Sequence, residues 1–130
     1  MTAVADTNVM AALILPTIEN SVVSALFLLD PDWRLPALWR SEFRHVLLKY
    51  VRSELIDSIQ ALALWQKAFD RFALQENPVD GQRVLELAID TGCSSYDAEF
   101  VVLAQHLGCR LLTFDRKLLK LFPDVAMQPA

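Results

Sequence analysis

Between Ser94 and Asp115 the chain reads SSYDAEFVVLAQHLGCRLLTFD. A polar start at Ser94-Ser95-Tyr96-Asp97 opens an apolar run at helical spacing from Ala98 to Leu107, and Gly108 ends it. A β-rich run, Arg110 to Phe114, follows and stops on Asp115. Helix, stop and strand in succession predict half of a βαβ-like unit. Asp97 then stands at a helix start and Asp115 just past a strand end. In open α/β folds such positions meet at the rim of the sheet where sites are built.

The first residues supply the partner strand. Thr2–Ala5 is a short apolar run cut off by Asp6, and Val9–Leu15 is an apolar helix ending before Pro16, with Thr7 and Asn8 as residues suited to its N-cap. Thr17–Leu29 predicts a helix with Ile18, Val22, Ala25, Leu26 and Leu29 inward and Glu19 and Asn20 outward. Trp33–Pro36 reads as a short strand. Ala37–Val51 is a helix with the stripe Trp39, Phe43, Val46, Leu47 and Tyr50, and Glu42 lies at the edge of that stripe. Glu54–Leu74 predicts a second long helix with Leu55, Ile59, Leu62, Phe69 and Ala73 in register and Trp65 widening the arc. A weak strand is expected near Phe72–Leu74 or Val79. Asp80–Thr91 is a helix stopped by Gly92, Arg116–Phe122 a short helix before Pro123, and Val125–Met127 an edge strand. Two successive amphipathic helices exceed what a small sheet must cover, so one face reads either as core or as a partner surface.

Four acids thus fall at or near element ends: Asp6, Glu42, Asp97 and Asp115. Each has an ordinary structural role. Asp6 and Asp115 suit helix N-termini, Ser94-x-x-Asp97 resembles a capping box, and Glu42 can pair with His45 one turn on. Those roles do not explain why right-handed βαβ connections would bring the acids to one edge. Crowded carboxylates repel and raise one another's proton affinity, and a hard divalent cation resolves the conflict. Mg²⁺ or Mn²⁺ held by such acids suits phosphodiester hydrolysis. Thr113 shares a strand face with Asp115 and can orient a water, although strand propensity accounts for it equally well. Arg40, Arg44, Lys49 and Arg52 form either a solvated basic face or a phosphate-guiding rim.

Composition bounds the alternatives. The chain has 130 residues, 54% of them hydrophobic, and a net charge of −4. That length serves one domain, and the charge lacks the basic coat of many nucleic-acid binders. Bound cations would supply the missing positive charge. Cys93 and Cys109 lack metal-ligand spacing and read as free thiols in a reducing compartment. No apolar run approaches the roughly 20 residues that span a bilayer. The expectation is a cytoplasmic protein with no membrane partner. There is no Gly-rich phosphate loop and no GxSxG turn, and His106 near a helix C-terminus reads as a surface residue.

Taken together, Val4-Ala5-Asp6-Thr7-Asn8-Val9, Ser41-Glu42, Tyr96-Asp97-Ala98 and Leu112-Thr113-Phe114-Asp115 before Arg116-Lys117-Leu118 resemble the PIN-domain family. Within it they are similar to the VapC-type toxins of toxin–antitoxin pairs. The resemblance covers essentially the whole chain. It implies a three-layer α/β/α sandwich on a mainly parallel sheet and an acidic pocket for Mg²⁺ or Mn²⁺. It further implies endoribonuclease activity on RNA and a homodimer inhibited by a cognate antitoxin. Carried over by position, Asp6, Glu42, Asp97 and Asp115 are the metal-binding and catalytic acids, with Asn8 and Thr113 as polar support. Arg116 and Lys117 are the substrate-binding candidates. Glu99 is set aside because two residues along a helix turn it about 200° from Asp97.

Other readings remain open from sequence alone. These are a non-toxin nuclease of the same family, a phosphoryl-transfer or receiver-like domain using Asp6 as nucleophile, and a non-catalytic interaction module on the same fold. The second is weakened by Asn8, which stands where an aspartyl-phosphate motif needs a second aspartate.

Overall fold

A computed structural model describes residues 1–130. Four short parallel strands, β1 (Ala3–Ala5), β2 (Trp33–Arg34), β3 (Arg110–Leu112) and β4 (Ala126–Met127), lie in the order β2-β1-β3-β4. The chain leaves β1 in one direction to form β2 and later returns to β1's other side to form β3. The crevice between β1 and β3, at their carboxyl ends, is therefore a topological switch point.

Alternation along the strands sorts the core into two layers. Val4 and Leu111 are aligned and point to one face, where they meet Phe100, Val101, Leu103 and Ala104 of α6 (Ser95–Leu107) and Leu118 of α7 (Arg116–Leu121). Ala5 and Leu112 are aligned and point to the other. There they join α1 (Thr7–Ile14), α2 (Asn20–Leu29), α3 (Trp39–Arg52) and α4 (Ser58–Phe72). The result is the expected three-layer α/β/α sandwich. Trp33, Trp39, Phe43 and Phe72 are fully buried in the larger layer, each contributing roughly 1.5–3 kcal/mol or more by leaving water. Helix α5 (Gly81–Thr91) packs on α6, and Gly92 and Gly108 end these two helices with φ of 76° and 63°, in the left-handed region that favours glycine.

The inward faces of α2 and α4 differ from expectation. In α2 the buried residues are Val23 and Phe27, whereas Ile18, just before the helix, and Leu29 are 92% and 83% exposed. Asn20 fixes the rotation: its amide donates to the carbonyls of Ala12, Leu13 and Leu15, so it faces inward. Phe27 then meets Trp33 edge-on at 4.8 Å. An almost wholly apolar helix offers several equivalent stripes, and this polar anchor selects one. In α4 the buried residues are Ala68 and Phe72, with Trp65 against the core, while Ile59 and Leu62, and Leu55 ahead of the helix, face solvent. This helix starts at Ser58 because Asp57 and Gln60 form a capping box, and Glu54 sits at φ 62°, outside any helix. Residues Ala73–Gln75 form a 3₁₀ turn where a weak strand was expected, and pairing there is one bridge from Leu35 to Glu76.

Strand β3 ends at Leu112, earlier than the predicted Phe114, because the Thr113 hydroxyl accepts the Asp115 N–H at 3.0 Å and closes a turn. Cys93 and Cys109 are both free. No helix is long and apolar enough to cross a membrane.

Candidate active site

The cleft at the switch point has a volume of about 460 Å³ and brings Asp6, Glu42, Asp97 and Asp115 into one lining. Four different segments deliver them. Asp6 follows β1 and caps α1, and Glu42 sits in the first turn of α3. Asp97 sits in the first turn of α6, and Asp115 caps α7. No lysine or arginine lines the cleft.

Two threonines hold the innermost acids. Asp6 is 7% exposed; one carboxylate oxygen accepts the Thr7 N–H at 2.8 Å and the other accepts the Thr113 hydroxyl at 2.8 Å. The Thr7 hydroxyl donates to Glu42 Oε1 at 2.6 Å. Thr7 therefore joins Asp6 to Glu42, a role hidden in the sequence, where it looks like an N-cap. The expected Glu42–His45 pairing is replaced by this bond. Asp115 Oδ1 accepts the N–H groups of Lys117 and Leu118 at 2.8 and 3.3 Å, so its capping role and its place in the cleft coincide.

Burial pushes the Asp6 carboxyl up to about 6; the Thr113 and Thr7 hydrogen bonds pull against this, and the charges of Glu42 and Asp97 add to it. Glu42 is raised by burial and by Asp97, against the Thr7 bond. Asp97 is raised by burial and by Asp115, against Ser94 and Lys117. The four acids lie within electrostatic reach of one another.

An oxygen-only donor set with uncompensated charge fits a hard cation. Glu42 Oε2 and Asp115 Oδ2 accept no hydrogen bond from the chain and are available as ligands. No group of three acids is already drawn close enough to share one ion.

The other candidates are distributed unevenly. Asn8 is exposed and lines the cleft, as do Ser41, His45 and Tyr96, which the sequence did not mark as site residues. Thr113 is wholly buried behind Asp6. Arg116 and Lys117 are exposed beside Asp115 without lining the cleft, although the Lys117 charge reaches Asp97. Glu99 faces a separate groove with Glu76 and Asn77, yet burial and the Glu42 charge raise its proton affinity. Half of the expected basic face is engaged within the fold. Arg40 pairs with Glu76 at 2.6 Å, and Arg44 lies 4.9 Å over the Trp65 ring. Asp6 is buried and each of its oxygens accepts one hydrogen bond.

Comparison with known proteins places this geometry. The family described as PIN domain matches residues 3–123. Among solved structures, PAE2754 from Pyrobaculum aerophilum superposes with a TM-score of 0.75 at 22% identity, covering 93% of this chain and 87% of that one. VapBC2 from Rickettsia felis, bound to a DNA fragment from their promoter, superposes at 0.69 with 12% identity, covering 98% of each chain. A toxin–antitoxin complex from Klebsiella pneumoniae superposes at 0.64 with 19% identity, again covering 98% of each. No curated protein sequence matches the chain. At these identities the structural likeness speaks for the fold.

Proposed function

Because the chain belongs to the PIN-domain family, we propose that it is a metal-dependent endoribonuclease acting as the toxin of a toxin–antitoxin pair. The observation that carries this reading is the convergence of Asp6, Glu42, Asp97 and Asp115 from four segments on one cleft free of basic side chains. The likeness to the toxin–antitoxin complex from Klebsiella pneumoniae supports the toxin assignment.

In this reading Asp6, Glu42, Asp97 and Asp115 hold Mg²⁺ or Mn²⁺. When bound, the ion activates water and stabilises charge on the phosphate and the leaving oxygen. The chain's own part is positioning. Thr113 and Thr7 lock both oxygens of Asp6, and Thr7 also locks one oxygen of Glu42, so the inner acids cannot swing away. Asn8 adds an amide at the rim, and Arg116 and Lys117 draw the phosphate backbone toward Asp115.

Two protein partners belong to the same reading. Ile18, Leu28 and Leu29 at α2 and Leu55, Ile59 and Leu62 at α4 leave large apolar side chains in solvent. Such patches suit a cognate antitoxin and a second copy of the chain. The test is cleavage of RNA by purified protein with Mg²⁺ or Mn²⁺, with chelator, and by Asp97→Asn. Metal-independent cleavage, or full activity in the variant, would overturn the reading. Growth arrest on expression, relieved by the product of a neighbouring gene, tests the toxin assignment.

A further inference from the structure

The cleft contains one large exposed aromatic ring that the acid-centred reading leaves without a task. Tyr96 is 61% exposed, lines the cleft beside Asp97, and lies in the first turn of α6. The chain's aromatic pairs are all formed by Phe27, Trp33, Trp39, Phe43, Trp65, Phe69 and Phe72, and Tyr96 belongs to none of them. Four residues on, Phe100 is 1% exposed in the core, so the helix has buried its neighbouring aromatic and left this one out. His45, exposed on α3, brings the other π-bearing side chain to the lining.

In the nuclease reading the cation, Arg116 and Lys117 meet the phosphate backbone, and none of them holds a base. Stacking on an aromatic ring holds a nucleobase and tolerates any base. It also demands a free base face, which a paired base inside a helical stack does not offer. The volume of about 460 Å³ lies in the range that houses one small ligand, enough for a single base.

Resting on the nuclease reading above, we propose that Tyr96 is the stacking platform for the base next to the scissile phosphate, with His45 at the second wall. The base that Tyr96 meets must present a free face. Tyr96 acts on substrate binding and not on the chemical step.

The test uses the full chain with Mg²⁺ and a single-stranded oligoribonucleotide, the same sequence closed in a hairpin stem, and a version lacking the base beside the cut. Wild type should prefer the open strand. Tyr96→Leu, which keeps apolar bulk without a ring face, should raise KM roughly 5- to 150-fold, the equivalent of one stacked base, with kcat held. Tyr96→Phe should restore KM, and the abasic strand should erase the difference between wild type and Tyr96→Leu. Binding of a 2-aminopurine strand to an Asp115→Asn background, read as fluorescence quenching, gives a readout without cleavage. Quenching that survives Tyr96→Leu, or equal cutting of open and paired strands, overturns the proposal while leaving the nuclease reading intact. Wild type that neither cuts nor binds RNA overturns both.

Discussion

The Thr113 hydroxyl donates a 2.8 Å hydrogen bond to Asp6 Oδ2 across 107 residues of chain. It ties the end of β3 to the end of β1, beside the backbone bond from the Asp6 N–H to the Leu112 carbonyl at 2.9 Å. The same hydroxyl accepts the Asp115 N–H, so one side chain positions two cleft acids.

Replacing Thr113 with the isosteric valine tests that link. It removes a hydrogen bond to a buried carboxylate and strips the Asp115 N–H of its acceptor. Hydrogen bonds to charged groups contribute about 1.5–3 kcal/mol. Thr113→Val should lose about that much stability in urea unfolding at neutral pH, whereas Thr113→Ser should lose less. A valine variant as stable as wild type would remove Thr113 from the account.

Asp6 itself should be a stability cost in metal-free protein. Its folded-state value, raised to about 6 from 3.8, means that folding favours the protonated carboxyl. The contribution of Asp6 is therefore intact below pH 3.8 and is lost as pH rises through about 6. Two units correspond to roughly 2–3 kcal/mol. Asp6→Asn should raise the Tm at pH 7.5 in chelator, show little difference at pH 3.5, and abolish metal-dependent cleavage. An unchanged Tm at pH 7.5 would contradict the burial argument.

Asp6 and Asp115 were legible because each ends a short apolar run and opens a helix, a pattern that places them whatever the details of packing. Asp97 was legible from Ser94, whose hydroxyl does accept the Asp97 N–H at 3.0 Å. Glu42 was less so: its own segment favoured pairing with His45, and only its company with three other acids near element ends pointed it toward the cleft. Thr7 was hidden for the same reason, since capping is local and the bond to Glu42 spans 35 residues. The rotations of α2 and α4 were illegible because apolar residues surround both helices on several faces. The polar anchor of Asn20 sets the rotation of α2 and the capping box at Asp57 sets where α4 starts, and periodicity registers neither.

Divalent-ion binding should strengthen with pH. Asp6, Glu42 and Asp97 all hold their protons more tightly than free carboxylates, and a bound cation requires the ionised forms. Mn²⁺ affinity, followed by calorimetry, should rise at least tenfold between pH 5 and pH 7, with proton release at the lower pH. An affinity flat across that range would show that these acids do not bind the ion.

Core and partner faces of the same helix should respond in opposite ways. Phe72 is 1% exposed and packs against both Phe27 and Trp39, so Phe72→Ala should cost about 3–5 kcal/mol of stability. Leu62 is 70% exposed on the same helix, ten residues earlier and on the solvent side. Leu62→Glu together with Ile59→Glu should change the unfolding free energy by less than about 0.5 kcal/mol per site. If that face meets a second copy or an antitoxin, the double variant will sediment as a smaller species or fail to be inhibited, with RNA cleavage by the isolated chain unchanged. A double variant that loses stability on the scale of Phe72→Ala would place Leu62 and Ile59 in the core of the folded chain and remove the case for a partner surface on α4.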